Sequence, residues 1–124
     1  MPGVDLAAVA DPAAGEVVVR VTPGPRQDWF AEDSLIGRIY TVSSNSNRIG
    51  VRLEGTPLER IRAGELPSEG MALGALQIPP SGLPVLFLAD HPVTGGYPVI
   101  AYVAGMDLDA CAQLRPGQPL RFIT

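Results

Sequence analysis

The loop between residues 90 and 98 carries the side chains best suited to chemistry in this sequence. It reads Asp90-His91-Pro92-Val93-Thr94-Gly95-Gly96-Tyr97-Pro98. Asp90 and His91 place a carboxylate beside the only imidazole of the chain, and histidine titrates near neutral pH without any perturbation. We therefore predict that Asp90 and His91 form a general acid–base pair. The alternative is that Asp90 only accepts backbone hydrogen bonds within the loop and that His91 is simply exposed.

The second half of this loop offers backbone N–H groups to a ligand. Glycine lets the backbone approach a substrate closely, so we predict that the following residues bind substrate: Thr94, Gly95, Gly96 and Tyr97. The alternative is a hairpin loop that requires positive φ at both glycines. Gln77 and Ser81 border the neighbouring Pro79-Pro80-Ser81-Gly82 turn and are predicted to contact the same ligand.

A third group of candidates precedes a predicted strand at Asn47-Arg48. The guanidinium of Arg48 is suited to hold a carboxylate or similar anion in a bidentate fork. The alternative is a solvated turn in which Arg48 pairs with Glu54 or another surface carboxylate. No metal site is predicted, because the single cysteine and the single histidine fit no ligand spacing. No serine lies in a nucleophile-elbow sequence either.

Length and composition limit the classes of protein that fit. A chain of 124 residues is long enough for one core. We expect residues 1–15 to be a loosely structured lead-in and residues 16–124 to form one domain. The net charge of −4 favours neither nucleic acid nor an anionic membrane, and no stretch approaches the ~18 apolar residues of a membrane helix. A single cysteine, Cys111, suits the reducing cytoplasm.

The rest of the chain consists of short apolar runs that are separated by Pro and Gly. They predict a mainly antiparallel β-barrel or sandwich with one helix of about two turns. The helix is Leu108–Leu114 with Asp107 as its cap, and single helical turns are predicted at 27–32, where Asp28 is the cap, and at 56–62. The run at 84–89 predicts a strand that is buried on both faces. The predicted strands are 16–21, 36–42, 49–53, 73–78, 84–89, 99–103 and 120–124.

A barrel gathers strand ends at its rim. Because each candidate residue lies near the end of a predicted strand, we expect Arg48, Gln77, Asp90 and the Gly95-Gly96 backbone to converge on one concave surface.

Several segments, taken together and in order, resemble the C-terminal part of the biotin-dependent carboxyltransferase family, also called allophanate hydrolase subunit 2. The resemblance covers the chain from about Val17 to Phe122. The segments that carry it are Pro23-Gly24-Pro25-Arg26 with Asp28-Trp29-Phe30, Ser46-Asn47-Arg48-Ile49-Gly50-Val51-Arg52-Leu53-Glu54-Gly55, Ser68-Glu69-Gly70, Gly74-Ala75-Leu76-Gln77-Ile78-Pro79-Pro80-Ser81-Gly82, Asp90 with Thr94-Gly95-Gly96-Tyr97-Pro98, Leu114-Arg115-Pro116-Gly117 and Arg121-Phe122.

This resemblance implies a cyclophilin-like antiparallel β-barrel. It also implies a partner similar to allophanate hydrolase subunit 1, together with an N-terminal half of the subunit that lies outside this chain. The implied activity is that of a hydrolase subunit, ATP-dependent cleavage of 5-oxoproline or a similar reaction at an amide or ureido carbonyl, with this chain inactive alone. The alternatives are biotin-dependent carboxyl transfer and a non-catalytic barrel that regulates a kinase inhibitor through subunit 1. No cofactor is expected on this chain alone; ATP or biotin is expected in the full complex.

Overall fold

The computed structural model describes residues 9–10, 15–31, 34–62 and 64–124. Short strands separated by turns dominate these ranges, as the Pro and Gly spacing predicts. The strands are β1 (Val9–Ala10), β2 (Val17–Pro23), β3 (Ile39–Val42), β4 (Gly50–Glu54), β5 (Glu69–Gly70), β6 (Ala75–Gln77), β7 (Val85–Phe87), β8 (Thr94–Gly95), β9 (Val99–Val103) and β10 (Pro119–Ile123); the helices are 3₁₀ turns at Gln27–Trp29 and Gly105–Asp107 and one α-helix, α1 (Leu108–Cys111).

Seven of these strands close into a barrel in the order β2, β10, β3, β4, β7, β6, β9 and back to β2. Strand β2 closes it because Val17–Arg20 pairs with β10 and Val21–Pro23 pairs with β9. The β2–β10 pair is parallel, and the other pairs around the described barrel are antiparallel. A mainly β barrel with one short helix is the predicted fold class, which is therefore confirmed.

The inside of the barrel is filled by large apolar side chains, one set from each strand. Successive strand residues point to opposite faces, so alternate positions face inward. The rings of Tyr40 and Phe122 lie 6.1 Å apart at its centre. Each fully buried leucine contributes about 1.5–3 kcal/mol to folding. The fully buried inner residues include Val19, Tyr40, Leu53, Leu76, Leu86, Leu120 and Phe122.

The outer face of β6, β7 and β9 is also buried, which confirms that the run at 84–89 contributes a strand buried on both faces. Leu86 belongs to the inner core, whereas Val85 and Phe87 belong to a second apolar cluster with Ala75 and Val99. Strands β5 and β8 form a separate antiparallel pair near this wall, with Glu69 opposite Gly95 and Gly70 opposite Thr94. We call this pair the β5–β8 flap.

Three local predictions are wrong. Residues 56–62 form no helical turn, and Arg60 makes an isolated antiparallel bridge with Phe30 instead. The predicted helix Leu108–Leu114 ends at Cys111. Neither Asp28 nor Asp107 caps a helix with its side chain. Asp28 lies inside the first 3₁₀ turn, and the Asp107 carboxylate instead accepts a hydrogen bond from the backbone N–H of Arg20, at 2.7 Å.

Of the predicted lead-in at 1–15, residues 1–8 and 11–14 lie outside the described residues. Val9–Ala10 forms β1, which pairs with Val17 and Val18 of β2. Throughout the ranges that the structure describes, no helix has the length and apolar character needed to cross a membrane.

The thiol of Cys111 should make stability depend on alkaline pH. Burial, and secondarily the charge of Asp107, raises the pKa of Cys111 from 9.0 to about 12. The folded state therefore holds the proton more tightly than the unfolded state. The resulting stabilisation is complete below pH 9 and is lost as the pH rises toward 12, at about 1.4 kcal/mol per pH unit.

Urea unfolding of the wild type and of Cys111→Ala between pH 8 and pH 11 measures this loss. The difference in unfolding free energy between the two proteins should shrink above pH 9. The comparison is needed because burial also raises the pKa of Tyr40, which adds its own alkaline loss to both proteins. A difference that stays constant over this range would contradict the assignment to Cys111.

Candidate functional site

A pocket of about 200 Å³ opens on the outer face of the barrel wall, where β4, β7 and β6 lie side by side. We call it the outer-wall pocket. Its floor is apolar, from Val85 and Phe87, and its polar groups come from β4, β6 and the turn before β4. The residues that line it are Asn47, Ile49, Gly50, Arg52, Gln77, Pro79, Val85, Phe87 and Tyr97. The sequence analysis expected a site at the rim of the barrel, whereas this pocket lies on the outer wall.

Gln77 is the buried polar group of this pocket. It is only 7% exposed and lies at the end of β6, opposite Val85 of β7 and Val99 of β9. The register shift between Leu76 and Gln77 skips Ile100, so the extra residue of this bulge lies on β9. The nitrogen and oxygen of the Gln77 amide are not among the fully buried side-chain atoms that lack a hydrogen-bond partner in the described part of the chain. The amide therefore opens to the pocket that Gln77 lines, where a ligand could hydrogen-bond to it.

Gly95 lies directly against the Gln77 amide. A Cβ at position 95 would stand 2.6 Å from Gln77 Nε2 and 2.9 Å from the Met71 sulfur. Neither Gly95 nor Gly96 has a positive φ, so the alternative of a loop needing that conformation twice is wrong. Glycine at position 95 instead gives the β5–β8 flap room to close over the amide of Gln77.

Asn47 shapes the entrance to β4. Its Oδ1 accepts hydrogen bonds from the backbone N–H groups of Ile49, at 2.9 Å, and Gly50, at 3.3 Å. This is a local turn in which an asparagine side chain replaces a backbone acceptor. Asn47 lines the outer-wall pocket as well, so its structural role does not remove it from the candidate site.

Arg48 and Asp90 lie together, as predicted, but outside the outer-wall pocket. Arg48 Nε stands 3.4 Å from Asp90 Oδ2, and the two side chains are 93% and 55% exposed. An ion pair this exposed contributes little to stability. Arg48 faces a different cavity, of about 210 Å³, which it lines with Leu88 and Leu114. This ion pair matches the alternative stated for Arg48, in which it pairs with a surface carboxylate. The carboxylate is that of Asp90.

The imidazole of His91 is half-buried against Phe87, with ring centroids 6.4 Å apart and an edge-on angle of 68°. His91 Nδ1 lies 2.6 Å from the carbonyl oxygen of Pro92. A carbonyl only accepts, so Nδ1 is the donor in this contact. In the described part of the chain the Asp90 carboxylate makes no hydrogen bond to this ring, so the structure shows no acid–base dyad.

The remaining candidates have different surroundings. Ser81 is exposed, and its hydroxyl accepts a hydrogen bond from the Leu83 N–H inside the proline turn, at 3.3 Å. Thr94 is exposed on the β5–β8 flap. Gly96 lines a further cavity, of about 340 Å³, next to the outer-wall pocket. Tyr97, 47% exposed, lines both cavities and forms the wall between them.

The structure thus joins Gln77, Tyr97 and Asn47 around one pocket, with Gly95 against the Gln77 amide, and leaves Arg48 and Asp90 outside that pocket. Sequence reasoning missed Ile49, Gly50, Arg52 and the two apolar floor residues. One signal was available in the sequence: Val85 and Phe87 are apolar on both sides of Leu86, so both faces of this strand carry apolar side chains. Among the described residues no group of three or more His, Cys, Asp and Glu side chains stands ready to hold a metal ion.

The described residues form a closed barrel with a polar pocket on its outer wall, and sequence comparison assigns the chain to a family. Residues 4–124 match the family described as "Carboxyltransferase domain, subdomain A and B". The chain belongs to this family.

Individual relatives are similar over most of the chain. It is 45% identical over 108 residues to the C subunit of 5-oxoprolinase from Haemophilus influenzae and 38% identical over 108 residues to the C subunit of 5-oxoprolinase from Escherichia coli K12. Each match covers 85% of this chain and 35% of the relative. The chain therefore spans about a third of the length of these relatives.

A solved structure gives the same fold. The urea carboxylase of Kluyveromyces lactis superposes with a TM-score of 0.81 at 29% identity, over 88% of this chain and 11% of that one.

Proposed function

We propose that this chain is the C-terminal part of a subunit of a 5-oxoprolinase-like hydrolase that acts on an amide or ureido carbonyl. The proposal is supported by the 45% identity to the C subunit of a 5-oxoprolinase, which exceeds the 29% identity to the urea carboxylase. In the proposed reaction water adds across the lactam C–N bond of 5-oxoproline to give glutamate, while ATP is hydrolysed to ADP and phosphate.

The observation that carries the proposal is the amide of Gln77. A carboxamide offers one carbonyl acceptor and two N–H donors in one plane. A lactam or ureido group presents the complementary pair, an N–H beside a carbonyl oxygen. Because Gln77 is buried and lines a pocket with an apolar floor, hydrogen bonds to a ligand there are stronger than in water.

The other candidates take positions around this group in the proposal. Arg52 and Asn47 border the outer-wall pocket with Gln77. Asp90 and His91 remain the proposed acid–base groups, acting from the neighbouring loop. The site is proposed to be completed by a partner similar to allophanate hydrolase subunit 1 and by the remaining part of the subunit. ATP is proposed to bind in that complex, and the complex is proposed to be cytoplasmic. The isolated chain is proposed to be inactive.

A substitution at Gly95 tests the role of Gln77. We expect Gly95→Ala, placed in the subunit assembled with its partner, to lower kcat/KM for 5-oxoproline at least about tenfold. The added Cβ must displace the Gln77 amide and Met71, and the loss of one ligand hydrogen bond corresponds to about 1.4 kcal/mol. Stability should change little, because both displaced groups are the ends of flexible side chains. Glutamate release coupled to ATP hydrolysis measures the rate.

Gly70→Ala is the matched control. Gly70 lies on the same flap opposite Thr94, and its Cβ would meet no atom within 4 Å. Gln77→Glu, which keeps the acceptors and removes the donors of the amide, should reduce activity as Gly95→Ala does. Full activity in both Gly95→Ala and Gln77→Glu would contradict the assigned role of Gln77.

Biotin-dependent carboxyl transfer is the second candidate, because the fold superposes on a urea carboxylase with a TM-score of 0.81. The ureido ring of biotin carries the same N–H and carbonyl pair that the Gln77 amide complements. Assaying the assembled subunit for carboxyl transfer from carboxybiotin and for ATP-dependent 5-oxoproline hydrolysis separates the two functions. Activity in neither assay would favour the remaining alternative, a non-catalytic barrel that regulates a kinase inhibitor through its partner subunit.

A further inference from the structure

Residues 56–62, which were predicted to form a helical turn, instead hold Arg60 beside Trp29, the single tryptophan of the chain. Arg60 forms the isolated bridge with Phe30, and the backbone N–H of Ile61 donates to the carbonyl of Trp29, at 2.8 Å. These contacts hold the Arg60 backbone in one register against the 3₁₀ turn that carries Trp29.

The guanidinium of Arg60 is oriented as well. Its central carbon lies 4.8 Å from the centroid of the Trp29 ring, and Nη2 donates to the carbonyl of Gly64, at 2.7 Å. Gly64 has a φ of +132°, which L side chains rarely adopt. Stacking on an aromatic face and a hydrogen bond to the backbone hold a guanidinium without using all five of its N–H donors.

Neighbouring arginines differ from Arg60 in their partners. Arg26 pairs with Glu69, and Arg62 pairs with Asp28 at 3.4 Å. No carboxylate of the described residues lies within ion-pair distance of Arg60. Of Arg26, Arg60 and Arg62, Arg60 is therefore the one whose planar fork is oriented and left without an anionic partner among the described residues.

Arg60 opens onto the cavity of about 340 Å³ next to the outer-wall pocket, which we call the Arg60 pocket. Its lining is mixed: Leu66, Pro80 and Pro98 contribute apolar side chains, and Glu65 adds one negative charge. A guanidinium fork beside proline and leucine side chains suits a carboxylate on a small ring or short apolar body. The charge of Glu65 disfavours a dianion such as phosphate. The lining residues are Arg60, Gly64, Glu65, Leu66, Pro80, Gly96, Tyr97 and Pro98.

We propose that the Arg60 pocket binds a small monocarboxylate, with Arg60 holding the carboxylate from its position over Trp29. The proposal deepens the proposed function and rests on it for the ligand: 5-oxoproline carries such a carboxylate on a lactam ring, whereas urea does not. Since Tyr97 lines both cavities, a molecule in the Arg60 pocket lies next to the pocket of Gln77. The anion-binding role predicted for Arg48 falls instead to Arg60.

The fluorescence of Trp29, the only tryptophan, reports binding in the full chain without ATP. Titration with 5-oxoproline should change the emission saturably. 5-Oxoprolinamide, which replaces the carboxylate by a neutral amide, should bind at least about tenfold more weakly, since hydrogen bonds between two charged groups are the stronger kind. Inorganic phosphate should also bind at least about tenfold more weakly, because the charge of Glu65 repels a dianion more than a monoanion. Arg60→Gln should weaken 5-oxoproline binding by the same factor. Arg60→Lys should restore only part of it, because a lysine keeps the charge and loses the planar fork.

Arg115→Gln, at an exposed turn before β10, is the matched control and should bind as the wild type does. Thermal melts of each variant verify that it is folded. No saturable response to 5-oxoproline, equal affinity for the amide, or unchanged affinity in a folded Arg60→Gln would overturn the proposal. In the assembled complex, 5-oxoproline binding that depends on Arg60 but gives no turnover would refute the proposed function alone. Normal KM in Arg60→Gln would refute the Arg60 site alone.

Discussion

Gly24→Ala is expected to cost about 3 kcal/mol or more of folding free energy, because no space exists for a methyl group there. Gly24 follows β2 where the chain crosses β9, and its N–H donates to the carbonyl of Ile100, at 2.9 Å. A Cβ at position 24 would lie 2.7 Å from Val99 O, 2.8 Å from Ala101 N and 2.9 Å from Ile100 C. All three are backbone atoms of β9, so relief requires β2 and β9 to separate, which opens the barrel.

Urea unfolding of the purified chain measures the effect, with Gly105→Ala as the matched control. Gly105 has no atom within 4 Å of the position its Cβ would take, so its substitution should change the unfolding free energy by less than about 0.5–1 kcal/mol. A loss below about 1 kcal/mol in Gly24→Ala would show that the β2–β9 seam adjusts more easily than well-packed structure normally does.

The turn at Gly24 was predictable from the sequence, but its reason was not. Pro23-Gly24-Pro25 signals a turn through local backbone preferences, whereas the close approach to β9 is a contact between segments far apart in the chain. The same holds for Gly95: its sequence signals a loop, and only the fold brings the Gln77 amide against it. Local patterns report conformation along the chain, and close packing between strands leaves no local pattern.

The strands of the barrel were predictable because their apolar runs are long enough to show a preference. Val99–Val103 was predicted with its observed bounds, and the run around Leu86 indicated burial on both faces. The β5–β8 flap was not predicted, since two residues per strand are too few to display a period. Arg60 was assigned to a helical turn because Thr56-Pro57 is a common helix start, and pairing with Phe30 overrides that preference.

The position of the candidate site was predicted only in part, and the reason is geometric. Arg48 and Asp90 come together because the strands that follow and precede them, β4 and β7, are antiparallel neighbours. Gln77 lies on the outer face of the wall, because Leu76 beside it points inward and adjacent strand residues alternate. The expectation of one rim site treated all these residues as strand ends and did not assign a face to each.

Asp107→Ala is expected to lower the free energy of unfolding by about 2–4 kcal/mol, since it removes a buried charged acceptor from the barrel wall. The Asp107 side chain is fully buried, its Oδ2 accepts from the backbone N–H of Arg20 at 2.7 Å, and its Oδ1 lies 3.7 Å from Arg20 Nη1. These contacts tie the segment before α1 to the centre of β2. Alanine leaves the Arg20 N–H without its acceptor and a void where the carboxylate was.

Asp107→Asn separates the hydrogen bond from the charge, and Asp109→Ala, at an exposed position on α1, is the control. Asparagine keeps one oxygen for the Arg20 N–H, so its loss of stability should be smaller than that of alanine. The charge of Asp107 is the secondary cause that raises the pKa of Cys111, so Asp107→Asn should also lower that pKa while burial keeps it above 9.0. Urea unfolding and the pH dependence of thiol alkylation in the folded protein measure the two effects. Equal stability of Asp107→Ala and Asp109→Ala would show that the Arg20 N–H finds another acceptor.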